Sequence, residues 1–582
     1  MGFTREIQAK WRLNIITAVF GLFFVIITVR LFQVQVVLGQ EYEAKANSQQ
    51  SRKFQISASR GQIYLDENGE LYPVALNQKL NMLYVDPKFI VQPSKAAEEL
   101  AKVTGLDEAK LKDQLTYKKS RYIELKQKVS SEEAARIRAL KIPGIVLRPE
   151  DYRYYPEGNL FSHVLGYVNS DGEGQYGLEQ YLDTDLTGRD GLLKAATDSM
   201  GVPIVSNENT IVEPKNGTDV VLTIDRSIQA VAGQALVKAV QDNRAESGSI
   251  IVMDPQTGAV KALVNYPDYD PNNYGAVKGS DYGVFRNRAV TDLFEPGSGF
   301  KVITMAAGLD SGKVTPDTTY NDTGEFEVSG KTIRNAENHK FGVQSMYDVI
   351  QKSLNTGVVF VLRKLGNDPD KITREGKNTL YNYIKKFGFG VRTGIEQSGE
   401  ATAVVKPPST YDVDYANMTF GQGIAVTSIQ LIQAVGAIAN GGKLYQPYLV
   451  DGVVKNGQIR KNPPKLINSQ VVSSQVAAQT ASMMTRVVEK GSGWATKMPG
   501  YSIAGKTGTA QVPKPDGSGY EEAKNIGSFV GFAPVEDPKF VMLVRIDYPK
   551  VEGFAEKTAV PAFATVAKAL MKYYQIPPKA SQ

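Results

Sequence analysis

The chain has 582 residues, enough for several domains, and its 42% hydrophobic and 22% charged residues give an ordinary globular balance. The net charge of +6 is spread along the chain, which argues against a concentrated basic surface for nucleic acid. With no cysteine and two histidines, the sequence excludes disulfides, thiolate nucleophiles and His-rich metal sites.

An uncharged apolar run lies near the N-terminus. Residues 13–29 carry no charge, and apolar character continues to Val37, which is long enough to cross a hydrocarbon core of roughly 30 Å. Basic residues outnumber acidic ones before it, so we expect 1–12 in the cytoplasm, a transmembrane helix over 13–37 and the remainder outside. The alternative is a signal peptide cleaved after Ala44-Lys45-Ala46, but that site lies well beyond the end of the run.

Residues 38–216 read as an elongated, irregular module. Short strand-like runs ("KFQIS", "NMLYV") alternate with polar stretches, and large apolar segments are few. The composition between Ser94 and Lys128 favours a polar helical stretch.

Residues 217–576 predict a second, α+β domain, followed by a polar tail over 577–582. It begins with a strand, "DVVLTID", and an amphipathic helix from Ser227 to Asn243. "SGSIIVMDPQTGAVKALVNYP" predicts two strands joined by a turn. Three more strands follow near the C-terminus ("SIAGKTGTAQV", "GSFVGFAPV", "KFVMLVRIDYP"), and then a helix from Val560 to Tyr574. Strands at both ends with helices between them indicate one sheet built from both ends of the segment.

The stretch "EPGSGFKVITMAAGL" combines Ser298 with Lys301 at the start of an apolar helical pattern. A lysine in the first helical turn is disfavoured by the helix dipole, and burial would lower its pKa further. A neutral lysine amine one turn from a serine can accept the hydroxyl proton, which is what a serine nucleophile requires. Alone, this spacing is more typical of a capping serine beside an exposed lysine.

Two further clusters of polar residues favour the catalytic interpretation of Ser298 and Lys301 over the capping one. Ser353 and Asn355 lie in "IQKSLNTGVVFV" between apolar helical stretches, where either residue would also serve as a helix cap. Lys506, Thr507, Gly508 and Thr509 lie in a strand-like run whose glycines favour the close approach of another backbone. In this order the three motifs form the set known in penicillin-binding proteins and serine β-lactamases.

With these motifs in place, the sequence resembles class B penicillin-binding proteins, the peptidoglycan D,D-transpeptidases. The likeness extends over nearly the whole chain, including Arg60-Gly61, Gly177-Leu178-Glu179 and "TFGQGIAVTS". It departs at "YLDENG", where relatives usually show Asp-Arg-Asn-Gly, and at Lys352, where many carry serine. The resemblance implies a transpeptidase domain with an antiparallel sheet flanked by helices and an all-helical subdomain, an N-terminal pedestal (dimerisation-type) domain and one transmembrane helix.

The resemblance also implies a role for each site residue. Ser298 is the nucleophile, Lys301 its base, Ser353 the proton relay, Asn355 a contact of substrate and lysine, and Lys506 the positive charge beside the substrate carboxylate. Thr507, Gly508 and Thr509 bind that carboxylate, and the backbone N–H groups of Ser298 and Thr509 form the oxyanion hole. No metal or cofactor is implied.

The implied partners are stem peptides on lipid-linked precursors, β-lactam antibiotics, a SEDS-type glycosyltransferase and division proteins in the bacterial cytoplasmic membrane. Septal and lateral-wall members share these motifs, and the "EPGS" and "TFGQG" runs favour a division-type (FtsI-like) member. A D,D-carboxypeptidase remains an alternative; a β-lactamase lacks an identifiable second base, and a β-lactam sensor would need further spans.

Two other patterns are weaker candidates for a functional site. The pattern Gly172–Gly177 has the form of a dinucleotide fingerprint, but no repeating βαβ pattern surrounds it. His339 cannot be placed in a Ser-His-Asp triad by motif, since no G-x-S-x-G elbow surrounds Ser298. We expect His163 to pack within the pedestal and Glu295 to act electrostatically at the helix start.

Overall fold

The computed structural model describes residues 3–42, 51–196, 210–514, 519–551 and 554–579. These residues form two compact units. The first comprises Met1–Ser59 with Gly188–Gly217, and the second comprises Arg60–Thr187 with Thr218–Gln582.

The first unit contains the apolar N-terminal helix. The helix runs over Phe3–Phe32 and continues as a π-helical turn, Gln33–Val37. Within the described part of the chain, Lys10–Val37 is the one helical stretch long and apolar enough to cross a membrane. A three-stranded antiparallel sheet completes the unit, in the order Ser51–Ile56, Gly191–Ala196, Thr210–Val212. The alternative cleavage site at Ala44-Lys45-Ala46 lies outside the described residues.

In the second unit, strands from the pedestal segment and from the C-terminal segment share one seven-stranded sheet. Ile63–Glu67 pairs in parallel with Val220–Leu222, the short strand formed by the predicted "DVVLTID" run. In order, the strands are Gln458–Lys461, Val450–Lys455, Val220–Leu222, Ile63–Glu67, Glu70–Val85 and Ile123–Val129, with Ile145–Tyr154 also paired to Glu70–Val85.

The stretch from Ser94 to Lys128 is only partly helical, so that prediction was wrong at its C-terminal end. Helices cover Pro93–Thr104 and Glu108–Thr116, but Ile123–Val129 is a strand. Apolar residues alternate with polar ones at Ile123, Leu125 and Val129, which is the period of a strand with one buried face. The remaining short elements of this region are Ser131–Ala139, Ser162–Leu165, Gly177–Tyr181 and Asp183–Thr187 (helices), and Tyr167–Val168 paired with Gly174–Gln175.

A buried ion cluster joins the two pedestal motifs that carried the family resemblance. The Glu179 carboxylate is fully buried, and it accepts hydrogen bonds from Arg60 Nε at 2.8 Å and Arg153 Nε at 2.7 Å. Because a buried carboxylate is costly without paired donors, the two arginines compensate for the burial of Glu179 inside the fold.

The segment 217–576 contains a five-stranded antiparallel sheet, as predicted from the strands at both of its ends. Its strands are β1 (Ser247–Met253), β2 (Val260–Tyr266), β3 (Ala504–Pro513), β4 (Tyr520–Ala533) and β5 (Phe540–Asp547). Their order is β2-β1-β5-β4-β3, so β3, which carries Lys506–Thr509, is an edge strand.

This sheet is buried on both faces, which explains the unbroken apolar run in β1. Ile250 and Val252 point into one core, and Ile251 and Met253 into the other, as the two-residue period of a strand requires. Each such buried side chain contributes roughly 1.5–3 kcal/mol relative to an exposed one.

In the part of this segment that the structure describes, ten α-helices accompany the sheet, together with two nested ribbons and one further short strand pair. The helices are α1 (Arg226–Asp242), α2 (Arg288–Thr291), α3 (Lys301–Asp310), α4 (Met346–Gln351), α5 (Asn355–Leu365), α6 (Arg374–Lys386), α7 (Asp412–Met418), α8 (Ser428–Ala439), α9 (Ser474–Lys490) and α10 (Ala555–Tyr573). The ribbons pair Thr319–Asp322 with Gly342–Ser345 and Glu325–Val328 with Lys331–Arg334, and Leu444–Tyr445 pairs with Leu466–Asn468.

Helices α1 and α10 cover one face of the sheet, and α3 and α8 belong to the core on the other face. Helix α10 begins at Ala555, earlier than the predicted Val560, because a tertiary contact anchors its start: the Ala555 N–H donates to Thr509 Oγ1 at 3.3 Å.

Candidate active site

Ser298 lies in a tight helical turn that leads directly into α3. Gly297–Phe300 form a 3₁₀ turn, and the α-helix begins at Lys301. Side chains at positions i and i+3 eclipse one another in a 3₁₀ turn, so Ser298 and Lys301 face the same side. Ser298 is half-buried, whereas Lys301 is fully buried. The predicted one-face arrangement is therefore present, in a tighter form than an α-helix.

Gly297 permits the backbone to enter this turn. Its φ of +53° is a left-handed conformation that side chains with a Cβ rarely adopt. A Cβ at this position would also lie 2.7 Å from the Thr509 carbonyl oxygen. The turn that carries Ser298 is therefore packed backbone to backbone against β3.

The amine of Lys301 is held by Ser353. Lys301 Nζ donates to the Ser353 carbonyl oxygen at 2.5 Å and lies 3.1 Å from Ser353 Oγ. Burial, and next the nearby charge of Lys506, hold the pKa of Lys301 well below its ordinary value. The amine is thus suited to accept a proton at neutral pH. Within the described residues, the Ser298 hydroxyl makes no hydrogen bond.

Ser353 has a strained backbone between two helices. Its φ is +57°, and it lies in the gap between α4 and α5. Such a conformation costs of order 1–3 kcal/mol in a residue with a Cβ, and it persists where the surroundings require it. The capping alternative is wrong for both Ser353 and Asn355, because Leu354 is the N-cap of α5 and no side chain caps it.

Asn355 contacts the ribbon beside the site. Its Nδ2 donates to the carbonyl oxygen of Arg334 at 2.7 Å. Behind it lies a buried polar cluster in which Asp322 accepts from Thr356 Oγ1 at 2.7 Å and from Asn335 Nδ2 at 2.9 Å. The ribbon thereby fixes the start of α5, and in this structure the Asn355 amide is directed to the ribbon.

Lys506 approaches Ser353 from the edge strand. Lys506 Nζ donates to Ser353 Oγ at 3.0 Å and to the Thr507 carbonyl oxygen at 3.2 Å. Burial lowers the pKa of Lys506 to about 7, and only the more distant Glu556 opposes this shift. The hydroxyl of Ser353 therefore connects two buried lysines, both with lowered pKa values.

The remaining residues of the third motif line the same strand. Thr507 Oγ1 lies 2.7 Å from the hydroxyl of Ser492, a residue that the sequence analysis did not identify. Gly508 has no room for a side chain, because a Cβ there would lie 2.6 Å from the Pro296 carbonyl oxygen. Together with the contact between Gly297 and Thr509, this packing brings the backbone of Ser298 beside that of Thr509.

Glu295 makes two specific hydrogen bonds, whereas the sequence predicted only an electrostatic role at the start of the helix. Its carboxylate accepts a hydrogen bond from the Gly423 N–H at 2.7 Å and another from the Tyr520 hydroxyl at 3.2 Å. Burial raises its pKa. Local sequence gives no signal for these partners, because both come from distant segments of the chain.

Neither histidine side chain contacts Ser298, Lys301, Ser353 or Lys506 in the part of the chain that the structure describes. His163 is buried, its Nε2 lies 2.9 Å from the Val284 carbonyl oxygen, and burial lowers its pKa to about 4. His339 is exposed and lies 3.7 Å from the Glu337 carboxylate. The Gly172–Gly177 pattern falls in a short strand and turn before a five-residue helix, Gly177–Tyr181.

Comparison with family models gives two matches. Residues 248–572 match the penicillin binding protein transpeptidase domain, and residues 55–222 match the penicillin-binding protein dimerisation domain.

Individual relatives match over most of the chain. It is 36% identical to Stage V sporulation protein D of Bacillus subtilis over 568 residues, covering 96% of this chain and 85% of the relative. It is 29% identical to the peptidoglycan D,D-transpeptidase FtsI of Buchnera aphidicola, covering 98% and 96%. Among solved structures, penicillin binding protein 3 of Mycobacterium tuberculosis complexed with aztreonam superposes with a TM-score of 0.68 at 26% identity, covering 91% and 100%.

Proposed function

This chain belongs to the penicillin-binding protein transpeptidases, as a class B member, and we propose that it cross-links peptidoglycan stem peptides through an acyl-enzyme on Ser298. Peptidoglycan D,D-transpeptidation is the activity of the family; the mechanism and the residue roles are what we infer for this chain. The observation that carries the proposal is the hydroxyl of Ser353, which lies 3.1 Å from Lys301 Nζ and 3.0 Å from Lys506 Nζ.

In the first half-reaction, Ser298 Oγ attacks the carbonyl carbon of the penultimate D-alanine. The neutral amine of Lys301 accepts the hydroxyl proton, so an ester C–O bond forms without a free alkoxide. The negative charge on the carbonyl oxygen is stabilised by the backbone N–H groups of Ser298 and Thr509, which preorganised packing holds near each other.

Collapse of this intermediate breaks the amide C–N bond. The proton taken up by Lys301 passes to Ser353 Oγ while the proton of Ser353 goes to the leaving nitrogen, and the terminal D-alanine departs. Lys506 remains protonated and supplies positive charge beside the substrate carboxylate, to which the hydroxyls of Thr507 and Thr509 donate.

In the second half-reaction, the amine of another stem peptide attacks the ester. Its proton returns through Lys301 to Ser298, and the new amide bond is the cross-link. A β-lactam acylates Ser298 in the same way, as the aztreonam complex of the related penicillin binding protein 3 suggests by analogy. Asn355 contacts the substrate when the carbonyl oxygen of a substrate amide replaces that of Arg334 as the acceptor of its Nδ2 hydrogen bond.

The apolar N-terminal helix supports a single-pass topology. We propose that residues 1–12 are cytoplasmic, 13–37 span the membrane, 38–216 form the pedestal and 217–576 the extracytoplasmic transpeptidase domain. The FtsI-like sequence runs and the similarity to a relative named FtsI favour a role in septal wall synthesis, and we propose a SEDS-type glycosyltransferase and division proteins as membrane partners.

Fluorescent penicillin labelling of the full chain in detergent tests the acyl-enzyme. We expect Ser298→Ala to abolish labelling, and Ser311→Ala, at the other end of α3, to preserve it. Persistent labelling of Ser298→Ala would place the nucleophile elsewhere. Incubation with a pentapeptide donor and an amine acceptor then separates the activities: cross-linked product supports transpeptidation, and D-alanine release without it indicates a carboxypeptidase.

Imaging a tagged full-length copy tests the septal role. We expect the protein to concentrate at the division site. A uniform distribution along the side wall would contradict the division assignment.

A further inference from the structure

Glu295 lies three residues before Ser298, and its buried carboxylate forms no ion pair with another described residue. It is 8% exposed. The positive charge of Lys406 acts on the pKa of Glu295, but the Lys406 amine is itself paired with Asp414 at 2.5 Å. A buried carboxylate is costly unless its oxygens are hydrogen-bonded, so the partners of Glu295 indicate what keeps it in place.

The first partner belongs to the segment that runs beside the nucleophile. Glu295 Oε1 accepts from the Gly423 N–H at 2.7 Å. On either side of Glu295 the two backbones are paired as well: Phe294 and Val426 exchange two hydrogen bonds of 2.9 Å, and the Gly297 N–H donates to Gly421 at 3.1 Å. Glu295 thus closes a ladder that would otherwise have a gap at its centre.

The second partner belongs to the hairpin of β3 and β4. Glu295 Oε2 accepts from the hydroxyl of Tyr520, the first residue of β4. The same hairpin carries Thr509, whose carbonyl oxygen lies against Gly297. The nucleophile turn is therefore attached to the hairpin at two points, one through backbone packing and the other through the Glu295 carboxylate.

We propose that Glu295 is a positioning residue that sets the register between the Ser298 turn and the β3–β4 hairpin, and thereby the separation of the two backbone N–H groups that stabilise the oxyanion. The proposal rests on the proposed function, since it concerns the rate at which Ser298 is acylated. Glu295 acts through Gly423 and Tyr520 and does not touch the reacting atoms.

The hydrogen-bond pattern distinguishes this role from that of a base. Gly423 can only donate to Glu295, whereas a tyrosine hydroxyl can either donate or accept. In Glu295→Gln, the amide oxygen keeps the bond from Gly423, and the amide nitrogen donates to Tyr520 after rotation of its hydroxyl. Glutamine therefore preserves the attachment but removes the charge, and alanine removes both.

Pre-steady-state acylation of the full chain by a fluorescent penicillin separates the binding constant from the acylation rate constant. We expect Glu295→Ala to lower the rate constant by roughly 10²-fold with little change in binding, because a displacement of about 1 Å in a catalytic group has an effect of that size. Glu295→Gln should remain within about threefold of the native rate, since its hydrogen bonds are retained. Tyr520→Phe should slow acylation several-fold in the native background and have no further effect in Glu295→Ala.

These outcomes can be distinguished from a failure of the proposed function, because penicillin labelling of Ser298→Ala tests that function independently. Equal losses in Glu295→Gln and Glu295→Ala would show that the charge is required and would overturn the proposal. A native rate in Glu295→Ala, or the same effect of Tyr520→Phe in both backgrounds, would also overturn it. If Glu295→Ala shows no cooperative thermal transition, a native acylation rate in Tyr520→Phe would reject the proposal and a several-fold decrease with unchanged binding would support it.

Discussion

Lys301 and Lys506 both contact one hydroxyl, that of Ser353, at 3.1 and 3.0 Å, so their amines are no more than about 6 Å apart. Two ammonium groups this close in a buried site repel each other, and both lose hydration. The pKa of Lys301 is held well below its ordinary value, and that of Lys506 is lowered to about 7. Burial therefore favours the neutral form of both amines, and the proposed mechanism uses Lys301 as the base and Lys506 as the cation.

Replacing Lys301 with arginine, which stays positively charged, tests whether the neutral amine of Lys301 is the base. We expect Lys301→Arg to slow acylation of Ser298 by about 10²–10⁴-fold, because a guanidinium stays protonated and general-base catalysis contributes an effect of that order. Stopped-flow acylation by a chromogenic cephalosporin measures it. Lys313→Arg, at an exposed position just beyond α3, is the matched control and should react at the native rate. Rapid acylation of Lys301→Arg would disprove the lysine-base mechanism.

The lowered pKa of Lys506 predicts an alkaline limb in the pH profile. Below about pH 7 Lys506 is protonated and attracts a carboxylate; above it this charge is lost, so the second-order acylation rate constant should fall as pH rises through about 7. Burial lowers the pKa of Lys301, and its deprotonation would act in the opposite direction, because it supplies the neutral base. Acylation by a penicillin methyl ester, which has no carboxylate, should lack the limb. A parallel fall for acid and ester would assign it to another group.

Lys506 should also reduce stability in a pH-dependent way. Its pKa is about 7 in the folded protein and about 10.5 in the unfolded chain, so between these values the unfolded chain binds more protons and stability rises with pH. We expect inactive Lys506→Met to melt a few degrees higher than the native protein at pH 7, and the difference to shrink towards pH 9. Scanning fluorimetry at both pH values measures this. A difference that grows with pH would contradict the assignment.

Two glycines beside Ser298 provide a matched pair. Gly297 has φ +53°, and a Cβ there would meet the Thr509 carbonyl oxygen at 2.7 Å, whereas the nearest atom to a Cβ at Gly299 is 3.9 Å away. We expect Gly297→Ala to lower the melting temperature and to slow acylation at least tenfold, by forcing the turn away from β3. Gly299→Ala should fold and react nearly normally. Equal behaviour of the two variants in the labelling and melting assays would refute the close-packing argument.

Much of the site was predictable because its chemistry depends on short local spacings. Ser298 and Lys301 are one turn apart, and the third motif lies within a single strand, so residue type, spacing and the order of the three motifs together selected them. Glu295 and Ser492 could not be assigned roles in this way, since their partners, Tyr520 and Thr507, are distant in sequence and no local pattern refers to them. The strand at Ile123–Val129 was missed because composition was weighed above its two-residue alternation.

The sequence by itself determined the domain type, the apolar N-terminal helix, the strands at both ends of the C-terminal segment and the identity of the three motifs, because these depend on composition, period and order along the chain. Only the tertiary structure decided that Ser353 connects both lysines, that Glu295 joins the nucleophile turn to a hairpin, and that Asn355 contacts a ribbon. The physical reason is that pKa values and hydrogen-bond partners depend on burial and on distances between segments far apart in the chain, and a linear pattern does not specify either.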